Sequence, residues 1–172
     1  MACSAITSGV LNGCSSGQGG LESIYIANGP VESITETAGL VSAITVGGSA
    51  LTPADFFEFQ CPRQTSSISE TATGDIAQGT VIYEQSLIMI LNQLQASTRD
   101  QLQLMFQATN LVVIAKTNQG DLISVGLERG AYGTTATSTS AVNYADRAGY
   151  EITISGIEKS PMFFVDSAIV IA

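Results

Sequence analysis

The chain has no histidine and no tryptophan, and only six Lys and Arg among 172 residues. Without histidine, nucleophilic catalysis of the Ser-His-Asp or Cys-His kind is excluded, leaving only lysine-assisted variants. Neither Lys116 nor Lys159 sits in a Ser-x-x-Lys pattern. With no histidine and no CxxC pair, no zinc site is expected. The three cysteines, Cys3, Cys14 and Cys61, are an odd number with no close pair. A Cys3–Cys14 bridge is conceivable, but free thiols of a cytosolic product are the better expectation. No run reaches the ~18 apolar residues of a spanning helix. The longest stretches, around Leu87–Leu91 and Phe163–Ala172, are short or carry Asp166. The first cation is Arg63, so no basic-then-apolar leader is expected.

Charge as a whole is scarce. Asp, Glu, Lys and Arg make up 12% of the chain, about half the usual ~25% share. Hydrophobic residues reach 45%. A chain this apolar, with no membrane span, implies a surface largely covered by copies of itself or by partners. Fifteen acids against six bases leave a net charge of −9. Such a chain repels a nucleic-acid backbone and gains nothing from counterion release. It suits a wall past which nucleic acid moves without sticking. On charge alone, ordinary acidic solubility is the simpler account.

The length fits one domain with a sizeable core. Residues 1–20, small, polar and glycine-rich, read as an extended arm. Residues 21–172 form the domain. "LESIYIAN" is a strand, followed by the turn signal Asn28-Gly29-Pro30 and a second strand over Val31–Thr37. "GLVSAITV" (39–46) alternates and ends at Gly47-Gly48, and "ADFFEFQCP" is stopped by Pro62. The Ser/Thr-rich stretch 63–79 fits strand or loop. "TVIYEQSLIMILNQLQ" (80–95) is apolar at both odd and even positions near its end, as in a strand buried on two sides; a helix competes, but β-branched content favours the strand.

"STRDQLQLMFQATN" is helical, expected over about 98–109. Ser97 or Thr98 is the expected N-cap, Thr98 with Gln101 makes a capping-box pattern, and Asp100 belongs to the first turn. Leu102, Met105, Phe106 and Thr109 fall on one face that needs a sheet to cover it, and Asn110 is a plausible stop. "LVVIAK" and "DLISVGLE" are strands joined by a loop at 117–120. Residues 129–149 read as a long loop or an extended hairpin. "YEITISGIE" and "MFFVDSAIVIA" are the last two strands. In the first of these, Tyr150, Ile152 and Ile154 face inward, and Glu151, Thr153 and Ser155 outward. The sum is a mainly β, antiparallel sandwich or barrel-like domain with one flanking helix.

Parts for chemistry are missing. Glu128, Asp146 and Glu151 are scattered carboxylates, better read as solvated or inter-subunit charges than as a glycosidase pair. "SGQGGLE" has glycines, but a phosphate loop needs a strand before it, a helix after it, and Lys-Ser/Thr. "FFEF" is not interleaved with positive charge. No catalytic, cofactor-binding or metal residues are assigned, and no enzyme is expected.

The order of features resembles the tail tube proteins of tailed bacteriophages, especially those of phages of Bacteroidetes. The resemblance spans residues 19–166. It rests on "GGLESIYIAN", the "STRDQLQLMFQAT" helix, "LVVIAKTNQGDLISVGLERG" with Gly126 and Gly130, and the closing "DRAGYEITISGIEKSP". The chain departs from some members in lacking basic residues within that hairpin and in its Ser/Thr-rich stretch at 134–140. The resemblance implies hexameric rings whose inner strands form one continuous β-barrel around a DNA channel, with rings stacking through loops and the N-terminal arm. It implies a virion tail protein made in the bacterial host cytoplasm. Its partners would be its own copies, other tail proteins, and genomic DNA passing without specific binding.

Arg99, Arg147, Gly19, Gly20 and Tyr132 are then expected at inter-subunit or inter-ring contacts, and the 129–149 loop is a second candidate for ring stacking. Another virion ring or surface protein, such as a tail terminator, head–tail joining or head decoration protein, is the main alternative, since related folds serve several posts. A pilin-like or adhesin domain and a small hydrolase remain behind it.

Overall fold

The computed structural model describes residues 17–171 except Ile76 and Tyr144; the Cys3–Cys14 pair lies outside the described residues. Twelve strands run β1 (Leu21–Asn28), β2 (Val31–Thr37), β3 (Leu40–Val46), β4 (Ser49–Ala50), β5 (Phe57–Gln60), β6 (Ser67–Asp75), β7 (Thr80–Asn92), β8 (Leu111–Thr117), β9 (Leu122–Val125), β10 (Tyr132–Thr139), β11 (Gly149–Glu158) and β12 (Phe164–Val165). Helix α1 (Ala96–Gln107) follows β7, and a single helical turn, α2 (Ser167–Val170), follows β12. The strands form two sheets. The larger is ordered β2-β3-β12-β9-β8-β1-β5, with β4 beside β3; the smaller is β10-β11-β7-β6. Neither sheet closes on itself, so the described chain is an open two-sheet fold rather than a barrel.

Alternation explains the layering. In β1, Ile24 and Ile26 point toward the smaller sheet while Tyr25 and Ala27 point away. In β8, Val113 and Ala115 face inward, and Val112 and Ile114 face the opposite side. The β1–β8 pair is therefore the middle layer, apolar on both faces because both are covered. The inner core sets these strands against Leu87, Met89, Ile152 and Ile154, with Leu102 and Met105 of α1 closing one side. The outer core packs Val41, Ile44 and Phe56 under Val165, Ile169 and Val170. Each fully buried Ile or Leu contributes about 1.5–3 kcal/mol over its exposed state, so the two cores dominate the favourable side of folding.

Several expectations change. The two-sided burial expected near the end of 80–95 is confined in β7 to Met89 and Ile90, and runs instead along β1 and β8. β7 is a strand, but only Gln85, Leu87, Met89 and Ile90 are buried, while Ile82 is 38% exposed. α1 begins earlier than expected, because Arg99 N already donates to Gln95 O at 3.0 Å. Its N-cap is Gln95, with no side-chain bond, and its C-cap is Ala108, so Thr98 is not the cap and the Thr98–Gln101 box does not form. Asp100 accordingly lies past the first turn, and Thr109 and Asn110 past the helix.

The expected last strand is cut to two residues. Asp166 accepts from Ala168 N at 3.0 Å and caps α2, turning the chain out of the sheet. β12 also runs parallel to β3, through Phe164↔Leu40 and Val165↔Val41, so the larger sheet is mixed rather than antiparallel. The 129–149 stretch contains a full strand, β10, paired along β11.

Candidate functional site

The smaller sheet carries the most distinctive surface. Along β11, Ile152 and Ile154 are fully buried and Tyr150 is half-buried, whereas Glu151 is exposed and Thr153 and Ser155 are half-buried. Register extends this outward set across the sheet. Thr137 and Ile90 flank Glu151; Thr135, Ile88 and Ser67 align with Thr153; Tyr132, Ser86 and Ser69 align with Ser155. Glu84 continues the face between Ile157 and Thr71, and Ile82 lies opposite Thr73. The face is thus Ser, Thr and Ile with acids. None of the four strands contains a Lys or Arg. Arg147 approaches it from the preceding loop, where its Nη2 meets Glu151 Oε2 at 3.4 Å. Such a surface carries net negative charge, and its strands offer a phosphate no cationic partner.

Both edges of this sheet are open. Every described residue of β10 except Gly133, and of β6 except Ile68, is exposed. Unpaired edge strands present free N–H and C=O groups to any strand that can align with them. β6 and the start of β7 also project as a two-stranded ribbon. β11 pairs with β7 only from Tyr83 onward, so Thr80–Ile82 are paired to β6 alone. At this projecting end Val81 is 55% exposed on one face and Ile82 lies on the other, leaving the ribbon apolar on both sides.

A polar knot anchors the ribbon root. The buried Gln85 accepts from Gly126 N at 2.8 Å and donates to Glu70 Oε2 at 3.0 Å. Gly156 and Gly126 touch there, since a Cβ on Gly156 would lie 2.7 Å from Gly126 Cα. Nearby, Glu158 is 2% exposed; Oε1 accepts from Arg129 N at 2.9 Å and Oε2 has no partner among the described residues. Burial pushes the Glu158 carboxyl above the usual carboxylate range, against the Arg129 N–H bond, and the Glu128 charge adds to the rise.

The residues singled out from sequence do not converge. Tyr132 lies on the outward face at the β10 edge, 40% exposed. Gly19 and Gly20 sit at the β8–β9 turn, where Asn118 Nδ2 donates to Gly19 O at 2.7 Å and Asn118 N to Gly20 O at 3.1 Å. Arg99 is exposed on α1, 3.9 Å from Asp100. Leu102 and Met105 are buried, and Phe106 is half-buried with its ring over Gly133 of β10. The Ser and Thr of β6 and β10, with Glu84, were missed as site residues. Their signal was the Thr/Ser alternation in "SISETATGD" and "TTATSTS", which suits strands as well as loops.

For chemistry, a cleft between β5, the end of β7 and α1 gathers Glu58, Cys61, Ser97, Thr98 and Gln101. Burial raises the Cys61 thiol, against a hydrogen bond with Ser66, which works against a reactive thiolate. No group of three His, Cys, Asp or Glu that could hold a metal occurs among the described residues. No described helix is long and apolar enough to cross a membrane.

No protein-family profile and no curated protein matches the sequence. Among solved structures, the chain is similar to one from a particle described as "Virion of native gene transfer agent (GTA) particle". The identity is 12% and the TM-score 0.41, over 66% of this chain and 91% of that one. A likeness at that level carries no functional argument.

Proposed function

We propose that the chain is the repeating subunit of a bacteriophage tail tube, a structural protein of the virion tail and not an enzyme. The observation that carries this is the smaller sheet, with two open edges and an outward face whose four strands contain no Lys or Arg, Arg147 beside it being paired with Glu151. Its four strands alternate in direction across the sheet, so its two edges run in opposite directions. Copies placed side by side therefore bring β6 of one against β10 of the next as an antiparallel pair. Repeated around a ring, this heterologous contact closes the sheets into one barrel and removes the exposed edges. The Ser, Thr and Ile face with its acids then lines the channel, and DNA slides along a wall that repels its phosphates. The sequence resemblance supplies the hexameric ring and the stacking through loops and the N-terminal arm.

Negative-stain electron microscopy of the purified protein across a concentration series tests the proposal. Stacked rings or tubes with an open channel are expected. Single closed rings at every concentration point instead to a terminator or connector. Monomers throughout overturn the assembly reading.

A further inference from the structure

The outer part of the larger sheet hangs on a very short strand. Among the described residues, β3, which carries β2 and β4, is joined to the rest of its sheet only through β12. β12 is two residues long. Its local bonds include Phe164 N to Gly39 O at 3.1 Å and Asp166 N to Val41 O at 2.9 Å. Beyond the burial of Val165, Ile169 and Val170, so few backbone bonds leave its position sensitive to residues 159–163, the strap leading into it from β11.

Glu128 holds the start of that strap, accepting from Ser160 Oγ at 3.2 Å and pairing with Lys159 Nζ at 3.8 Å, and a carboxylate from the smaller sheet holds its end. Glu70, in β6, accepts from Met162 N at 2.7 Å and from Gln85 Nε2 at 3.0 Å through the same Oε2. At the next residue, Phe163 N donates to Ser124 Oγ at 3.3 Å and Ser124 N donates to Phe163 O at 2.9 Å. A carboxylate bond to a backbone N–H is charge-assisted and about twice as strong as a neutral one. We propose that Glu70 is a latch that couples the open edge strand β6 to β12 and, through β12, to the β2–β4 unit. It is a positioning residue. Because coupling is reciprocal, whatever orders β6 also orders β2–β4. This inference concerns the isolated subunit and does not rest on ring formation.

Hydrogen exchange on the unassembled full-length chain tests it. Glu70→Ala is expected to speed exchange about tenfold at Leu40–Val46 and Phe164–Val170, the scale of one lost charge-assisted bond. Amides of β8 should stay at wild-type rates, and Glu70→Gln, which keeps an acceptor, should restore most of the protection. Unchanged rates in both segments overturn the proposal, and so does an equal rise that includes β8, which marks general destabilisation. If Glu70→Ala does not fold, Glu70→Asp, one methylene shorter, carries the test on the same criteria.

Discussion

Replacing Glu158 by glutamine should stabilise the protein, and only above acidic pH. The side chain is 2% exposed, one oxygen takes the Arg129 N–H, and the other has no described partner. Burial raises its carboxyl pKa, so the folded state holds the proton more tightly than the unfolded one. Below the ordinary carboxylate value both states are protonated and no charge is buried. Between that value and the raised one the native state binds more protons, so stability falls as pH rises, and the loss is complete above the folded pKa. A buried, half-partnered polar group costs about 1–3 kcal/mol.

The amide introduced by Glu158→Gln keeps an acceptor oxygen for the Arg129 N–H and presents a neutral group, not a second carboxylate, to Glu128. The expected gain is about 1 kcal/mol at pH 8, or a Tm rise of roughly 2–4 °C for a chain of this size, fading to nothing by about pH 4, near the ordinary carboxylate value. Thermal unfolding of both proteins by circular dichroism across that range measures this. A gain that does not vary with pH, or a variant less stable at the alkaline end, refutes the account of Glu158 as a desolvated acid.

Val81→Asp changes a half-exposed residue at the ribbon end, so unfolding should move by no more than about 0.5 kcal/mol while rings fail to form, as read by sedimentation and microscopy. Lysines placed on the outward face (Thr137→Lys with Thr153→Lys) should make tubes retain duplex DNA at low salt and release it as salt rises, whereas wild-type tubes retain none in a filter-binding assay. Gly156→Ala pushes a methyl into the Gly126 backbone, 2.7 Å away. Separating the sheets there should cost about 1–3 kcal/mol as overpacking does, seen as a lower urea midpoint with an unchanged slope.

Much of the fold was legible in local pattern. Period-two alternation marks β11, and the Asn28-Gly29-Pro30 turn ends β1 where the chain bends; the alternation expected of 39–46 is broken in β3, whose buried Val41 and Ile44 are three residues apart across a register shift. The Leu102 and Met105 spacing marks the buried side of α1. These features depend on neighbours within a turn or a pleat, where side-chain direction is set by the backbone itself. The apolar run in β8 was equally visible, but that both its faces are covered follows only from where two sheets and α2 come to rest.

The sequence by itself therefore determined strand content, a chain poor in cations, and the lack of histidine chemistry. Tertiary structure decided the rest. Thr and Ser suit loops and strands alike, so β6 and β10 became edges only through pairing with β7 and β11. A capped turn at Asp166 outweighed the β propensity of "AIVIA", because Ile169 and Val170 are buried against the outer core as α2. The parallel β12–β3 contact joins residues far apart in sequence, and no local pattern encodes a partner at that distance.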